Sequence, residues 1–250
     1  MRSVAKVHVW NRALRRIGSA KIEDPADLTV LEAAECEEAW EDVLEAALKA
    51  FPWRFARRQA QLSLAYSDYD AATTYAADAL ARSDEGHIYK SVSGGTGQDL
   101  TDPTYWTYQY TIAGGWAYVY PLPDDCVQPL ALLSEGQRLG NMPEASRIPF
   151  EPYDASASTG QVIGSDADTD DFDFLEYTCR HEQVTAWPRA FVSAVAYALA
   201  AELALSLKKE PLLSRSMMEA YRQALSEAAA VELNGRQEEP EPVTPSIAAR

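Results

Sequence analysis

The sequence predicts an α+β fold, because helical and strand-like patterns occupy different parts of the chain. Near both ends, apolar residues recur at every third or fourth position, which is the spacing of one helix face. These segments are residues 4–17, 29–51, 188–208 and 211–234. The middle instead holds short stretches rich in aromatic and β-branched residues, which is typical of strands. These stretches are residues 59–66, 116–120, 127–133 and 172–179.

The first predicted helix carries an apolar stripe and a basic face, and Gly18 suits the position just after its end. The stripe consists of Val7, Trp10, Leu14 and Ile17, and the basic face of Arg12, Arg15 and Arg16. Those arginines could contact a partner or DNA. We favour pairing with acidic neighbours or with water, the more common fate of such a face.

The second predicted helix has one apolar face and one acidic face. Thr29 and Glu32 have the spacing of a capping box at its start. The apolar stripe consists of Cys36, Trp40, Val43, Leu44, Ala47, Leu48 and Phe51. The acidic residues are Glu32, Glu35, Glu38, Asp42 and Glu45, which repel one another at helical spacing. A solvated surface, the wall of a channel, or contact with a neighbour's arginines would each explain them.

A short segment, residues 51–58, connects this helix to the first predicted strand. Proline has no N–H to donate and disfavours helix in the preceding residue, so Pro52 ends the helix. The notable residues are Pro52, Trp53, Arg54, Phe55, Arg57 and Arg58. Large aromatics are more often buried than exposed, so we interpret the segment as a structural corner rather than a binding site.

Four segments resemble, in the same order, the head-to-tail adaptors of short-tailed phages, known as the tail tubular protein A family. The first is 13–18 with Ile22 and Asp24. The second is a helix followed by Pro52, Trp53, Phe55, Ala56 and Arg58. The third is 116–126, a strand and turn, and the fourth is 187–191 with the Ala/Leu run to Leu207. Together they cover about two thirds of the chain, and their shared order makes the resemblance fairly specific.

The resemblance implies a helical bundle from the N- and C-terminal segments, 1–58 and 184–235, and a central β-domain, 59–65 and 111–183. It also implies a non-enzymatic virion protein, made in the host cytoplasm. Twelve copies would form a ring at the head-tail interface, between the portal protein and the tail nozzle protein. Genomic DNA would pass through the ring without sequence-specific binding.

Residues 66–110 resemble the small three-stranded modules of the chitin-binding type, and we expect them to be a small β insertion in the central domain. Tyr75, Tyr89 and Trp106 are the candidates for stacking on sugar rings. They could equally form the module's own core, because few aliphatic residues are available there. The alternative function is therefore a carbohydrate-binding or cell-wall-degrading tail component.

The net charge of −16 argues against a protein that grips nucleic acid by neutralising phosphates. The sequence contains none of the common hydrolase, zinc or phosphate-loop motifs, and we predict no catalytic residue, no metal and no cofactor. Asp166, Asp168 and Asp170 have the spacing of a calcium loop, but the glycine and glutamate of an EF-hand are missing. We expect an acidic hairpin tip there.

Three further expectations concern segments without a clear helix or strand pattern. Residues 141–160 hold three prolines and predict a long loop. Residues 236–250 predict an extended C-terminal arm that binds the portal through Pro240, Pro242, Val243, Pro245, Ile247 and Arg250. The three cysteines predict reduced thiols, and the longest uncharged apolar run, 190–201, is too short to span a bilayer.

Overall fold

The computed structural model describes residues 2–112, 115–139, 143–156 and 160–234, without the side chains of 2–5, 144, 155 and 156. It is a mixed α+β structure with four α-helices and several small sheets. The chain divides into two compact units. Residues 2–56 and 180–234 belong to the first, which we call the helical unit, and residues 57–179 form the second, the β unit.

The helical unit is organised around one apolar helix that packs on the other three. Its helices are α1 (Arg2–Arg16), α2 (Leu31–Lys49), α3 (Arg189–Ser206) and α4 (Pro211–Asn234). Helix α3 contacts α1, α2 and α4. Many of its buried residues are alanines, which allow neighbouring helices to approach closely, with Phe191, Val195, Leu199 and Leu203 filling the remaining space. Its length and apolar composition would also suit a membrane-spanning helix, but a helix buried in a protein core can have the same length and composition.

The ends of the helices agree in part with the sequence signals. Gly18 has φ +66°, and the N–H of Ser19 donates to the carbonyl of Leu14, so the glycine ends α1 as expected. The capping box at α2 is wrong: the N-cap is Val30, which has no side chain to accept an N–H. Thr29 donates its hydroxyl to Asp27 instead, at 2.5 Å.

The described part of the β unit contains twelve short strands. They are β1 (Arg57–Ala60), β2 (Ser67–Asp68), β3 (Thr74–Tyr75), β4 (Leu80–Arg82), β5 (His87–Ser91), β6 (Gly95–Thr96), β7 (Trp106–Thr111), β8 (Tyr118–Pro121), β9 (Cys126–Leu133), β10 (Glu151–Ser156), β11 (Gly160–Ser165) and β12 (Phe174–Cys179). They form sheets in the orders β1-β12-β9, β10-β11-β8, β2-β4-β5-β7 and β3-β6.

Two of the sequence expectations for this region are wrong. The predicted loop 141–160 contains β10, which pairs with β11. Pro152 is tolerated there because β10 is an edge strand. The acidic segment 166–171 is not a hairpin tip, because β11 before it and β12 after it belong to different sheets. Pro129 likewise lies in an edge strand, β9.

A bulge in β7 allows one short strand to contribute to two cores. Tyr110 pairs with Ile88 and Tyr108 pairs with Tyr89, which leaves Gln109 as the extra residue. Trp106, before the bulge, joins one buried cluster, and Tyr110, after it, joins another with Val119 of β8. Residues 67–111 therefore have a core of their own on one side and share a core with β8 and β11 on the other.

Candidate functional site

Trp53, in the segment that the resemblance emphasises, is a core residue of the helical unit. It has no exposed surface. Its indole N–H donates to the carbonyl of Ala47 in the last turns of α2, at 2.8 Å. Its ring centroid lies 5.0 Å from that of Phe51 and 5.0 Å from that of Phe191 in α3. Trp53 thereby holds the end of α2 against the start of α3.

Phe55 extends the same aromatic cluster, and Arg54 lies beside it on the surface. The Phe55 ring packs on Phe191 at 4.9 Å and on His181 at 5.9 Å. Arg54 is exposed and Pro52 is half-buried. Residues 54–56 form one turn of 3-10 helix, and β1 begins at the next residue. The two aromatic side chains of this segment, Trp53 and Phe55, thus pack within the helical unit.

Arg57 and Arg58 belong to the β unit, where each pairs with a carboxylate. Arg57 lies 3.3 Å from Glu176, and Arg58 lies 2.6 Å from Asp125. The hydroxyl of Tyr177 donates to the other oxygen of Asp125 at 2.9 Å. Burial, together with that hydrogen bond, raises the pKa of Tyr177 to about 12. These arginines therefore connect β1 to β12 and to the turn before β9.

The structure does not leave the proposed sugar-stacking rings open. Tyr75 is 7% exposed and Trp106 is 4% exposed, and their rings pack on each other at 5.1 Å. Tyr69 contacts both rings, at 5.8 and 6.0 Å. Only Tyr89 of the proposed three is half-buried rather than buried. Sugar stacking on Tyr75 and Trp106 is therefore excluded in this conformation, because their faces are occupied by other side chains.

The exposed aromatic residue of this region is one that the sequence analysis missed. Tyr108 is 53% exposed, and its ring lies 5.9 Å from Tyr89 and 6.0 Å from His87. Trp106, Tyr108 and Tyr110 alternate as if all three faced one core, so the pattern gave no reason to single out Tyr108. Its exposure became evident only from the strand pairing and the local packing.

A second surface feature is a basic cleft at the C-terminal half of α1. We use this name for the cleft formed by His8, Asn11, Arg12, Arg15, Gly18, Ser19 and Lys21, with a volume of about 520 Å³. Asn11 holds the following segment in place by exchanging two hydrogen bonds with the backbone of Ile22. Burial, together with the charges of Arg16 and Arg15, lowers the pKa of Arg12.

The third feature is an acidic surface on α2 and α3. We use this name for Glu35, Glu38, Asp42 and Glu202. Asp42 and Glu202 line a groove between α2, α3 and α4 of about 330 Å³. Its other walls are Ala39, Val43, Ala46, Ala198, Met218 and Tyr221. The groove is thus lined by apolar side chains and by the two carboxylates.

Among the described residues, no group of three or more His, Cys, Asp or Glu could hold a metal ion. The predicted arm, 236–250, lies outside the described residues. Comparison of the chain with protein-family models and with curated proteins finds no match.

Proposed function

We propose that this chain is the head-to-tail adaptor of a short-tailed bacteriophage, a structural protein without enzymatic activity. In this proposal, twelve copies form a ring between the portal protein and the tail nozzle protein and extend the DNA channel. Each copy has a helical bundle built from both ends of the chain and a central β-domain. Residues 66–110 are an insertion in that domain.

The observation that carries the proposal is the packing of segments that resemble the family. Three of the four resembling segments belong to the helical unit and contact one another, although they are far apart in sequence. Trp53 from the second lies 5.0 Å from Phe191 of the fourth, measured between ring centroids. Arg16 from the first lies 3.9 Å above the ring of Tyr197, within the Ala/Leu run of the fourth. If the chain resembles the family because it has the same fold, the resembling residues are expected to contact one another in this way.

The charge of the chain suits a protein through which DNA slides. At a net charge of −16 per copy, a ring would repel phosphates wherever carboxylates line its bore. A protein that holds DNA in place requires a basic surface with many phosphate contacts. Repulsion therefore supports passage of the genome rather than its retention.

The proposal is tested by adding the purified chain to phage heads that carry a portal but no tail. We expect electron microscopy to reveal an additional ring of density, with twelve-fold symmetry, directly below the portal. Heads assembled without a portal are the matched control and should remain bare. Absence of any ring on portal-bearing heads, at saturating protein, would refute the proposal.

The C-terminal arm is proposed as the segment that attaches each copy to the portal. Its prolines keep an unfolded chain extended and reduce the entropy lost on docking, and Val243 and Ile247 are its apolar anchors. Truncation after Asn234 should leave a folded chain that fails to load onto heads. The full-length variant Val243→Ser/Ile247→Ser separates loss of the anchors from loss of length. Wild-type loading by the truncated chain would rule out this role.

A second candidate function, carbohydrate binding, is favoured by the exposed ring of Tyr108. A half-exposed tyrosine beside Tyr89 and His87 offers a face on which a sugar could stack. Pull-down on insoluble chitin and peptidoglycan tests it, with Tyr108→Ala as the variant and Thr107→Ala as the control. Release of soluble fragments in the same assay would indicate wall degradation instead. Wild-type binding by Tyr108→Ala would dismiss the candidate.

A further inference from the structure

The cations of the basic cleft are not used within the chain. Among the described residues, Arg12, Arg15 and Lys21 form no ion pair with a carboxylate. Of the two expected fates of this face, pairing with acidic neighbours or contact with water, the first is not seen for Arg12 and Arg15 among the described residues. This is notable in a chain where acidic residues outnumber basic ones by 38 to 22.

Other cations of the helical unit do find partners. Lys6 binds Glu37 at 2.8 Å, Lys49 binds Glu45 at 2.6 Å, and Arg180 binds Glu41 at 2.7 Å. Arg16, next to the cleft, lies over Tyr197 instead. Arg12, Arg15 and Lys21 instead lie around one cleft without an ion pair, and the charges of Arg16 and Arg15 act on Arg12.

The same separation is seen among the carboxylates of α2. Glu37, Glu41 and Glu45 are paired within the chain, as described above. Glu35, Glu38 and Asp42 form no ion pair with any described residue, and neither does Glu202 beside them. Glu35, Glu38 and Asp42 follow one another at three- and four-residue spacing, so they lie along one line of the helix surface.

We propose that the basic cleft of one copy receives the acidic surface of the next copy, so that the ring is held together head to tail. This inference rests on the proposed function, which requires a ring. The two surfaces are different and mutually complementary, and such an interface repeats from copy to copy until a rotation closes it. The occupant is a second copy because this chain itself carries the matching charges.

The apolar groove behind the acidic surface suits an arginine side chain. A guanidinium group can bind two carboxylates, here Asp42 and Glu202, while its methylene stem lies on apolar side chains. Arg12 and Arg15 are one turn apart on α1, so both can reach a helix laid along the cleft. The mutually repelling carboxylates of α2 would then each gain a cationic neighbour.

Such an interface is expected to be weak in solution and sensitive to salt. Salt weakens attraction between exposed charges beyond the Debye length, which is about 30 Å at 0.01 M salt but only about 8 Å at 0.15 M. Copies should therefore separate in physiological salt, whereas at low salt the contact strengthens and must outweigh the general repulsion between copies of net charge −16. On the portal, neighbouring copies are held close together, and the high effective concentration drives the same contact.

The experiment uses two charge-reversed versions of the full chain. Arg12→Glu/Arg15→Glu makes the cleft acidic, and Glu38→Arg/Asp42→Arg makes the opposing surface basic. Sedimentation velocity at low salt should show that each variant alone associates at least tenfold more weakly than wild type. Their mixture should associate like wild type, with strictly alternating copies, because each altered surface then meets its complement. All four residues are at least partly exposed, and melting curves verify that both variants fold.

Matched double reversals on α4, Arg215→Glu/Arg222→Glu and Glu219→Arg/Glu227→Arg, control for the change in net charge, because all four residues are exposed. A mixture that fails to associate, variants that associate like wild type, or a wild type that stays monomeric at low salt would each overturn the inference. The inference would also be overturned if Arg12→Glu/Arg15→Glu abolished binding of duplex DNA to the cleft and left self-association unaffected.

Loading onto portal-bearing heads separates this inference from the proposed function. If each variant alone forms rings on heads as well as wild type does, the interface is wrong and the adaptor function stands. If wild type associates through these surfaces but never loads onto heads, the adaptor function is wrong and the contact stands.

Discussion

Trp53 in the helical unit and Trp106 in the β unit are both buried, but they are held in different ways. Trp53 has no exposed surface, and its indole N–H is bound by the carbonyl of Ala47. Trp106 is 4% exposed, and its indole nitrogen has no hydrogen-bond partner among the described residues. A buried, unsatisfied donor costs free energy, so Trp106 contributes to stability mainly through apolar packing.

The two tryptophans also differ in how far their partners lie along the chain. Trp53 packs on Phe191, which lies far along the sequence, whereas Trp106 packs on Tyr69 and Tyr75, which are much closer in sequence. Bringing distant segments together costs more loop-closure entropy. The core around Trp53 therefore depends on both ends of the chain, while the core around Trp106 depends on a local segment.

The largest effect is expected from Trp53→Ala. Deleting a buried tryptophan costs about 3–5 kcal/mol of a total stability of roughly 5–15 kcal/mol. Hydrogen exchange should show protection lost across α1 to α4 together. Leu212→Ala is the control, because Leu212 is 82% exposed and surface substitutions usually change stability by less than about 0.5 kcal/mol. Normal melting with failed assembly on heads would mark Trp53 as an interface residue instead.

Trp106→Ala should lower the stability of its own core by a comparable free energy, but fewer elements of the chain should be affected. We expect exchange protection to fall in β3 to β7, while the four helices remain protected, because the rings around Trp106 all come from residues 69–106. The measurement is peptide-resolved hydrogen exchange at low denaturant. Equal loss of protection in the helices would show that the two cores unfold together, which contradicts the difference drawn between them.

Gly164→Ala tests packing elsewhere in the β unit and should cost about 1–3 kcal/mol, the usual penalty of overpacking. A methyl group there would collide with the indole of Trp116, which lies directly against the glycine. Denaturant unfolding measures the loss. Adding Trp116→Ala should recover part of it, so the two substitutions should be non-additive. Additive losses would mean that the indole moves aside freely.

The smallest perturbation is chemical labelling of the cysteines. It compares how readily the helical unit and the β unit expose a buried thiol in the wild-type protein. Burial raises the pKa of Cys36 in α2 and of Cys126 in β9 to about 12. The reactive thiolate at pH 8 should therefore be about a thousandfold scarcer than for a thiol of pKa 9. Both cysteines should be alkylated slowly, and Trp53→Ala should accelerate Cys36 but not Cys126. Acceleration of both would indicate coupled unfolding.

The four helices were predictable because their signals are local. A stripe at 3.6-residue spacing and a stop signal near its end, such as Pro52 or Gly18, both operate within a few residues. The strand β10 was not predictable in the same way. Pro152 is compatible with a strand only at the edge of a sheet, and whether a strand is at the edge depends on its neighbours.

The bulge at Gln109 is a similar case. Regular alternation places Trp106, Tyr108 and Tyr110 on one face, and the sequence contains no glycine there to announce a change. Pairing with β5 inserts Gln109 as an extra residue and directs Trp106 and Tyr110 into different cores. Tyr108 precedes the bulge and therefore does not share the core of Tyr110, and its exposure of 53% could not be inferred from the alternation alone.

By itself, the sequence determined the mixed helix and strand content, the acidic charge, and the presence of one basic and one acidic helix face. Only the tertiary structure decided which of those charges are paired. Lys6 and Arg180 come within 3 Å of Glu37 and Glu41, whereas Arg12, Arg15 and Asp42 find no such partner among the described residues. An ion pair requires contact within a few ångströms, and that distance depends on how the helices pack rather than on the spacing of charges along any one of them.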